Sequence, residues 1–265
     1  MTKVLLLGSD GMLGSALRHA FPKATALTRA DFDLAKPVWN DDKFKKLIAG
    51  HDYVINAAGL INRRIDDETA LWAVNSIFPQ ALAALCIAND TKLIHISTDC
   101  VFDGKKGLHT ENDKPDATDA YGRSKALGEN AATMVLRTSI IGPESKHFYS
   151  LLCWVLAQKQ PITGYEDHLW NGVTTLTLSR VIKHIVERGE YEPGIHHVFG
   201  QDISKADLIA LILAAFGKQT LMVSGKGPHP SDKRLRTVLS PFMLPPLKDQ
   251  INELATLADE KGHWL

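Results

Sequence analysis

Tyr121 and Lys125 stand four residues apart in Tyr121-Gly122-Arg123-Ser124-Lys125. On a helix that spacing turns two side chains to one face. A free phenol, with a pKa near ~10, is a poor acid–base group at neutral pH. An ammonium beside it favours the phenolate and is expected to lower that value. Such a pair can hand a proton to a carbonyl oxygen as hydride reaches the carbon, or take it back in reverse. A hydroxyl suited to the same carbonyl stands in Ser97-Thr98-Asp99-Cys100-Val101-Phe102-Asp103-Gly104. There Thr98 follows an apolar run and can polarise a substrate carbonyl by a hydrogen bond.

Hydride chemistry needs a donor, and the N-terminus carries a loop suited to one. Gly8-Ser9-Asp10-Gly11-Met12-Leu13-Gly14 follows the apolar run Val4–Leu7. Glycines let a backbone turn tightly against a pyrophosphate, and the helix start beyond them supplies unpaired N–H groups. The spacing G-x-x-G-x-x-G is one residue longer than the dehydrogenase fingerprint. Gly8, Asp10, Gly11, Met12, Leu13 and Gly14 are therefore expected at a dinucleotide. About twenty residues on, a site for the 2′-hydroxyl cofactor has an acidic residue; this chain has Thr28-Arg29. A hydroxyl and a guanidinium suit a 2′-phosphate better, which favours NADPH, with NADH still compatible. Asp33 and Leu34 are expected near the adenine. Ala57, Ala58 and Gly59, small residues after Asn56, leave room for the cofactor, Asn75 is expected to hold backbone on its side, and Ser97, Tyr121 and Lys125 complete the contacts.

The frame for these residues is legible in the apolar patterning. Short runs at Val4–Leu7, Ala24–Leu27, Tyr53–Ala57, Leu93–Ser97 and Met134–Thr138 read as strands. Helical stretches from about Met12 and over Pro37–Ala49, Thr69–Ala88 and Tyr121–Ala131 separate them. Strands separated by helices predict βαβ units and a parallel sheet, and runs without clean alternation predict a sheet covered on both faces. The fold class expected is α/β, a Rossmann-type doubly wound parallel sheet with a smaller, discontinuous α/β substrate lobe. The rhythm changes after Ile141-Gly142-Pro143. Helix Leu176–Arg188 and strand His196–Phe199 are expected to return to the first sheet. The cofactor domain is then 1–142 plus about 176–199, and the substrate lobe 143–175 with 200–265. Helices are expected over Lys146–Gln160, over Ser204–Phe216 with Ser204 as cap, and over Leu247–Ala258. Loops are expected over Thr163–Thr175 and Gly225–Pro230.

Composition narrows the classes. The 265 residues carry 30 Lys+Arg against 30 Asp+Glu, with 45% hydrophobic residues. That balance excludes a basic nucleic-acid binder and a disordered acidic chain. No run has the length of a membrane span, and the N-terminal run is too short for a signal peptide. Three scattered cysteines, Cys86, Cys100 and Cys153, suggest free thiols in a reducing cytoplasm. No cluster has metal-ligand spacing, so no metal is assigned.

Taken together, GSDGMLG at 8–14, NAAG at 56–59, STDCVFDG at 97–104, YGRSKALGE at 121–129, LRTSIIG at 136–142 and HHVFGQDISKADL at 196–208 resemble the extended short-chain dehydrogenase/reductases. More closely they resemble the dTDP-4-dehydrorhamnose reductase family. The resemblance spans nearly the whole chain. It implies a Thr98–Tyr121–Lys125 triad and reduction of a 4-keto group on a nucleotide-linked deoxysugar by NAD(P)H. The chain departs from the rhamnose-forming members at Ile140, where they tend to carry Trp. It departs again at Leu60–Ile65, where they carry an acidic stretch, and at His168–Val173, where they carry a Gly-Pro-Thr loop. These segments are expected in the sugar pocket.

Other residues have two readings. GDP-fucose synthases resemble this fold and pair a Cys two residues after the catalytic hydroxyl with a His, epimerising C3 and C5 before reduction. Cys100 and His147 match in position, against the simpler reading of a packing thiol and a surface imidazole. Arg234 suits a diphosphate or a solvated basic turn. Trp170 and Asn171 suit a sugar or base, or plain packing. His95, mid-strand, reads as a satisfied core histidine. The substrate contacts expected are thus Thr98, Asp99, Cys100, Ile140, His147, Trp170, Asn171 and Arg234. The expected partner is a nucleotide-sugar substrate, with no nucleic acid and no membrane; a homodimer is compatible. Besides the reductase, three readings stand. One is the bifunctional epimerase/reductase. Another is a 4,6-dehydratase, disfavoured because Cys100 rather than Glu follows Asp99. The third is a non-catalytic NADP-binding regulatory subunit like that of methionine adenosyltransferase, which the intact triad opposes.

Overall fold

The computed structural model describes residues 2–61, 68–144 and 149–261. Its first half is a repeating strand–helix chain: β1 (Val4–Leu7), α1 (Met12–Ala20), β2 (Thr25–Leu27), α2 (Asp42–Ala49), β3 (Tyr53–Asn56), α3 (Glu68–Trp72), α4 (Phe78–Ala88), β4 (Lys92–Ile96), α5 (Ala120–Gly128) and β5 (Met134–Thr138). The second half adds β6 (Ile140–Ile141), α6 (Leu151–Ala157), β7 (Ile162–Tyr165), β8 (His168–Trp170), β9 (Val173–Thr174) and α7 (Thr175–Arg188). It ends with β10 (Gly194–Val198), β11 (Ile203–Ser204), α8 (Lys205–Ala215), β12 (Met222–Gly225), β13 (Ser231–Asp232) and α9 (Leu247–Lys261).

The main sheet has the order β10-β5-β4-β3-β1-β2, and every pairing in it is parallel. Successive side chains on a strand point to opposite faces, and here both faces are covered. Val4 and Leu6 pack into the cluster with Leu17 of α1 and Ile182 and Ile185 of α7. Leu5 and Leu7 pack into the cluster with Phe44 of α2 and Phe78 and Leu82 of α4. That division is why β1 reads as an unbroken apolar run. The chain order reverses between β1 and β3, and in open α/β sheets the ligand crevice opens at such a reversal, outside the carboxyl ends of the strands.

A separate apolar cluster is built from α6, α8 and α9, with Leu152, Val155, Ile209, Ile212, Ile251 and Leu254 at its centre. Three small sheets border it: β11-β8-β13, β12-β7 and β6-β9. The expected loop over Thr163–Thr175 is instead mostly strand (β7, β8 and β9), and part of the expected loop over Gly225–Pro230 is the end of β12. The reason is tertiary. Ile162–Tyr165 pairs with Met222–Gly225, and His168–Leu169 with Ser231–Asp232, partners about sixty residues away. The helix expected over Pro37–Ala49 is divided: a 3-10 turn spans Val38–Asn40, and Asp41 then caps α2 by accepting from the N–H groups of Lys43 and Phe44. Ser204 caps α8, as the sequence predicts.

The helical stretch from Glu68 to Ala88 widens into a π turn at Ala73–Ile77. Pro79 follows. Having no N–H, it cannot bond back to the carbonyl of Asn75, which loosens the helix there. The Gly128 backbone of α5 approaches that same Asn75 carbonyl so closely that a Cβ would collide with it. This irregularity seats α5 against its neighbour. It also places Asn75, fully buried, beside the site described next.

Candidate active site

A cleft of about 680 Å³ opens at the carboxyl ends of β1, β2 and β3. Gly8, Asp10, Gly11 and Met12 line it from the first loop, Thr28, Arg29, Asp33 and Leu34 from the segment after β2, and Ala57, Ala58 and Gly59 after β3. Leu7, Leu27, Ala30, Phe32, Ala35, Leu60, Val74 and Glu144 complete the wall; sequence reasoning did not pick these out, because nothing in their types marks them before the segments converge. Gly8 has φ +73°, and a Cβ there would lie 2.7 Å from Ala58 Cα. Only glycine satisfies both limits.

The residues present fit a dinucleotide. Gly11 precedes α1 without a side-chain cap, and no acidic residue occupies the first turn. The first N–H groups of α1 are thus left for an anion, and the dipole favours one. Thr28 does not present a free hydroxyl: its Oγ1 donates to Asp31 at 2.9 Å. That bond, with the Thr28 backbone N–H, holds the Asp31 carboxyl below its ordinary range. The Arg29 side chain is 72% exposed and lies 3.5 Å from Asp33, a cation at the rim. Leu13 and Gly14 do not line the cleft. Leu13 packs beneath the loop in the core, and Gly14 is buried against the Gly8 carbonyl.

The cleft abuts a second group of residues at Gly59. A Cβ there would lie 3.5 Å from Asn75 Oδ1 and 4.0 Å from Lys125 Nζ. Asn75 holds the Leu60 backbone by two bonds, accepting from its N–H and donating to its carbonyl, both at 2.9 Å. It also donates to Ser124 Oγ at 3.1 Å. One buried amide therefore ties the cleft wall to α5.

α5 begins at an Asp119 cap that accepts from the Gly122 N–H. It carries Tyr121 and Lys125 on one face. A Cβ on Gly122 would collide with the carbonyl of Cys100, so the helix crosses directly over the turn at Thr98–Val101. Thr98 Oγ1 accepts from the Cys100 N–H at 3.1 Å and donates to Asp99 Oδ1 at 3.1 Å. Lys125 is 4% exposed and donates to the Ile96 carbonyl at 2.7 Å. Burial pulls its pKa down to about 8, with Glu129 opposing. The expected depression of the Tyr121 pKa is not found. Burial raises it first of all and the nearby Cys100 adds to this, while a hydrogen bond with the Thr98 side chain works the other way. Burial dominates, so Tyr121 keeps its proton, while the Lys125 ammonium is held by the Ile96 carbonyl.

Behind this face lies a buried ion pair. Arg137 donates to Glu129 through Nε at 2.8 Å and Nη2 at 2.7 Å, and Ser97 donates to the same carboxylate at 2.6 Å. Ser97 therefore serves this network and does not line the cleft. His95 is buried below Lys125, 3.1 Å from Asn56 Nδ2 through Nδ1. Its Nε2 has no partner, so the ring is only half satisfied. Burial first, then the Lys125 charge, keeps it neutral.

On the substrate side the expected residues divide. Asp99 is buried, and burial raises its pKa while Lys233 and Lys205 steady the carboxylate. Burial pushes the Cys100 thiol up to about 12, helped by Asp99. His147 lies outside the described residues, as do Asn62–Ile65. Ile140 is half-buried and pairs with Val173. Asn171 is not offered to a ligand: its amide donates to the Leu235 carbonyl at 2.9 Å and accepts from the Leu235 N–H at 2.9 Å. Trp170 is 3% exposed and donates to Ser139 Oγ at 2.7 Å, so it packs. Arg234 is matched by Asp232 at 2.6 Å and Asp202 at 2.9 Å, and its charge is compensated within the protein. Two residues that their types did not single out lie near enough to Asp99 for their charges to act on it. Lys233 donates to the Phe102 carbonyl, and Lys205 lies 4.7 Å above the Trp170 ring. Their signal, a lysine opening a helix and another in a basic turn, is too common to single out.

Comparison with known proteins gives a consistent picture. The family model described as the RmlD substrate binding domain matches residues 1–239. A dTDP-4-dehydrorhamnose reductase of Mycolicibacterium smegmatis is 29% identical over 259 residues, 90% of this chain and 78% of that protein. The crystal structure of a dTDP-4-dehydrorhamnose reductase from Clostridium acetobutylicum superposes with a TM-score of 0.81 at 21% identity, covering 97% of this chain and all of that one. One from Bacillus anthracis, in complex with NADP, superposes with a TM-score of 0.80 at 16% identity over 97% and 99% of the two chains.

Proposed function

For this chain, which belongs to the RmlD substrate-binding-domain family of NAD(P)-dependent dTDP-sugar reductases, we propose NADPH-dependent reduction of the 4-keto group of a nucleotide-linked 6-deoxysugar, with dTDP-4-dehydrorhamnose as the first candidate. The observation that carries this reading is the meeting of Thr98, Tyr121 and Lys125 at the carboxyl end of β4, where Gly59 brings the dinucleotide cleft against Lys125. The cofactor half is read as residues 1–142 with about 176–199, and the substrate half as 143–175 with 200–265.

Gly8, Asp10, Gly11 and Met12 would hold the pyrophosphate, Arg29 would face the 2′-phosphate, and Leu34 the adenine. When bound, the reduced nicotinamide supplies hydride to the carbonyl carbon. Tyr121, which burial keeps protonated, gives its proton to the carbonyl oxygen as that oxygen becomes an alkoxide. As substrate binds, the Thr98 hydroxyl would turn its single proton from Asp99 to the same oxygen and take up part of its charge. Lys125 keeps an ammonium near the phenolate left behind, which solvent reprotonates. The carbonyl thus gains one hydride and one proton.

The test is incubation with NADPH or NADH and a panel of nucleotide-linked 4-keto-6-deoxysugars, following loss of reduced nicotinamide. Faster NADPH oxidation with at least one member is expected, and inertness toward all of them overturns the reading. Arg29→Ala should weaken NADPH about tenfold or more, the scale of a charged hydrogen bond, and leave NADH nearly unchanged. Equal losses would remove Arg29 from the 2′-phosphate.

A further inference from the structure

We propose that the buried Glu129–Arg137 ion pair is a positioning device for the triad. It holds the turn at Thr98–Val101 from both ends, Glu129 at the residue before it and Arg137 at the residue after it, and so aligns the Thr98 hydroxyl with the face of α5 that carries Tyr121 and Lys125. This rests on the reductase reading for the reaction that is aligned. It goes beyond that reading in assigning a role to two residues that do not line the cofactor cleft.

The turn is gripped at its start by Glu129. Ser97, directly before Thr98, donates from its hydroxyl to Glu129 Oε1 at 2.6 Å. Its backbone N–H donates to the Leu136 carbonyl at 2.8 Å, so main chain and side chain are both fixed. The turn is gripped at its end by Arg137, whose guanidinium lies 5.2 Å from the centre of the Phe102 ring. Phe102 is buried and also stacks on His109 with ring centres 3.9 Å apart. The two grips form one unit, because Arg137 donates to Glu129 through Nε at 2.8 Å and Nη2 at 2.7 Å. The remaining Nη1 lies 3.4 Å from His197 Nε2. A planar guanidinium held at its edges and on its face keeps one orientation.

The same pair fixes α5. Glu129 directly follows Gly128, the last residue of that helix, and stands four residues after Lys125. Lys125 donates to the Ile96 carbonyl, Glu129 accepts from Ser97, and Gly122 abuts the Cys100 carbonyl. These contacts along one helix all meet the short stretch Ile96–Cys100, with Thr98 at its middle. Stability alone does not account for a charge pair here, since well-packed apolar residues in its place often serve a fold equally well. What the pair adds is direction. Its carboxylate also favours the charged form of Lys125. The other titratable groups near that ammonium, His95 on β4 and Tyr121 on its own helix, are neutral.

The test compares the wild type with Ser97→Ala, which cuts the grip at the start of the turn, and with the double variant Glu129→Gln/Arg137→Met. The double variant removes both charges together, because one charge left alone in the interior is strongly destabilising. Ser97→Ala should lower kcat about tenfold to a hundredfold, the scale of a small misplacement of reacting groups. KM for the 4-keto sugar nucleotide and the Kd of NADPH should stay unchanged. Amide hydrogen exchange should quicken in the segment 97–102 and match the wild type elsewhere. The double variant should show the same loss in kcat. The falling limb of its kcat/KM profile should also move about one pH unit below that of the wild type, because Lys125 loses the carboxylate that favours its ammonium. Wild-type kcat and local exchange in Ser97→Ala overturn the proposal, as does a rise in KM at unchanged kcat, which would place Ser97 in substrate binding. Exchange in Ser97→Ala that quickens across the whole chain, or an unmoved limb in a folded double variant, also overturns it, since the pair would then only support the fold. Where the double variant does not fold, Ser97→Ala decides. If the wild type reduces no sugar nucleotide, the reductase reading falls, and the positioning role with it.

Discussion

At the scale of single residues, burial sets the chemistry of the site more than charge pairing does. Tyr121 is held protonated because its surroundings disfavour a phenolate, which suits an acid that must donate in the reductive direction. Tyr121→Phe should keep the fold and NADPH affinity and lose at least ~10²-fold in kcat, the scale of general acid catalysis; turnover within a few-fold of wild type would remove Tyr121 from the mechanism. Lys125 titrates at about 8 in its buried position. Its ammonium, and with it the charge next to the phenol, disappears as pH rises through that value. A falling limb in kcat/KM near pH 8 is expected, and Lys125→Arg, which stays charged, should move that limb to higher pH. An unchanged limb in Lys125→Arg would assign it elsewhere.

At the scale of elements, the site depends on how closely α5 crosses the turn after β4 and the π turn before α4. Gly122 and Gly128 mark the two crossings, each with a carbonyl where a Cβ would stand. Backbone cannot yield as a flexible side chain can. Gly122→Ala should therefore push α5 from the Thr98–Val101 turn, costing about 1–3 kcal/mol as overpacking does and separating Tyr121 from Thr98. Thermal unfolding should show a Tm several degrees lower, with ~2–4 °C expected per kcal/mol in a chain of this size, and kcat should fall with it. A Tm and kcat equal to wild type would show that the crossing is looser than drawn. The Pro79–Asn75 irregularity belongs to the same scale: by freeing one carbonyl it lets α5 approach, and by burying one amide it fixes both Leu60 and Ser124.

At the scale of the molecule, the edge strand β10 is tied by polar groups to two distant segments, around Glu111 and around Arg236. His197 on β10 donates from Nδ1 to the Arg236 carbonyl at 2.7 Å, and Glu111 accepts from the His197 backbone N–H and the Thr237 hydroxyl. Burial lowers the pKa of His197 and of His95 and His109, so all three are neutral in the folded protein. The unfolded chain binds protons at these positions below the ordinary histidine value of ~6.5, and where the unfolded state binds more protons, stability falls as pH falls. Tm should decrease steadily from about pH 7 to pH 5, well before carboxylates titrate. A flat Tm across that interval would show that these histidines are not the groups linking acid to unfolding.

The sequence by itself determined what depends on local pattern. The unbroken apolar strands, the glycine loop before α1 and the Tyr121–Lys125 spacing each follow from neighbours within a few residues, and the parallel sheet and its cofactor edge follow from them. The cap at Ser204 was legible for the same reason. What only the tertiary structure decided depends on distant partners. β7, β8 and β12 exist because segments some sixty residues apart pair, and no periodicity over so few residues predicts that. Asn171 and Arg234 have the right types for a ligand, yet Leu235, Asp202 and Asp232 occupy them. Lys205 looks like an ordinary surface lysine in its helix, and lies over the Trp170 ring only because β11 pairs with β8. A side chain's type fixes what it can bind, but its availability is set by which groups the fold places against it.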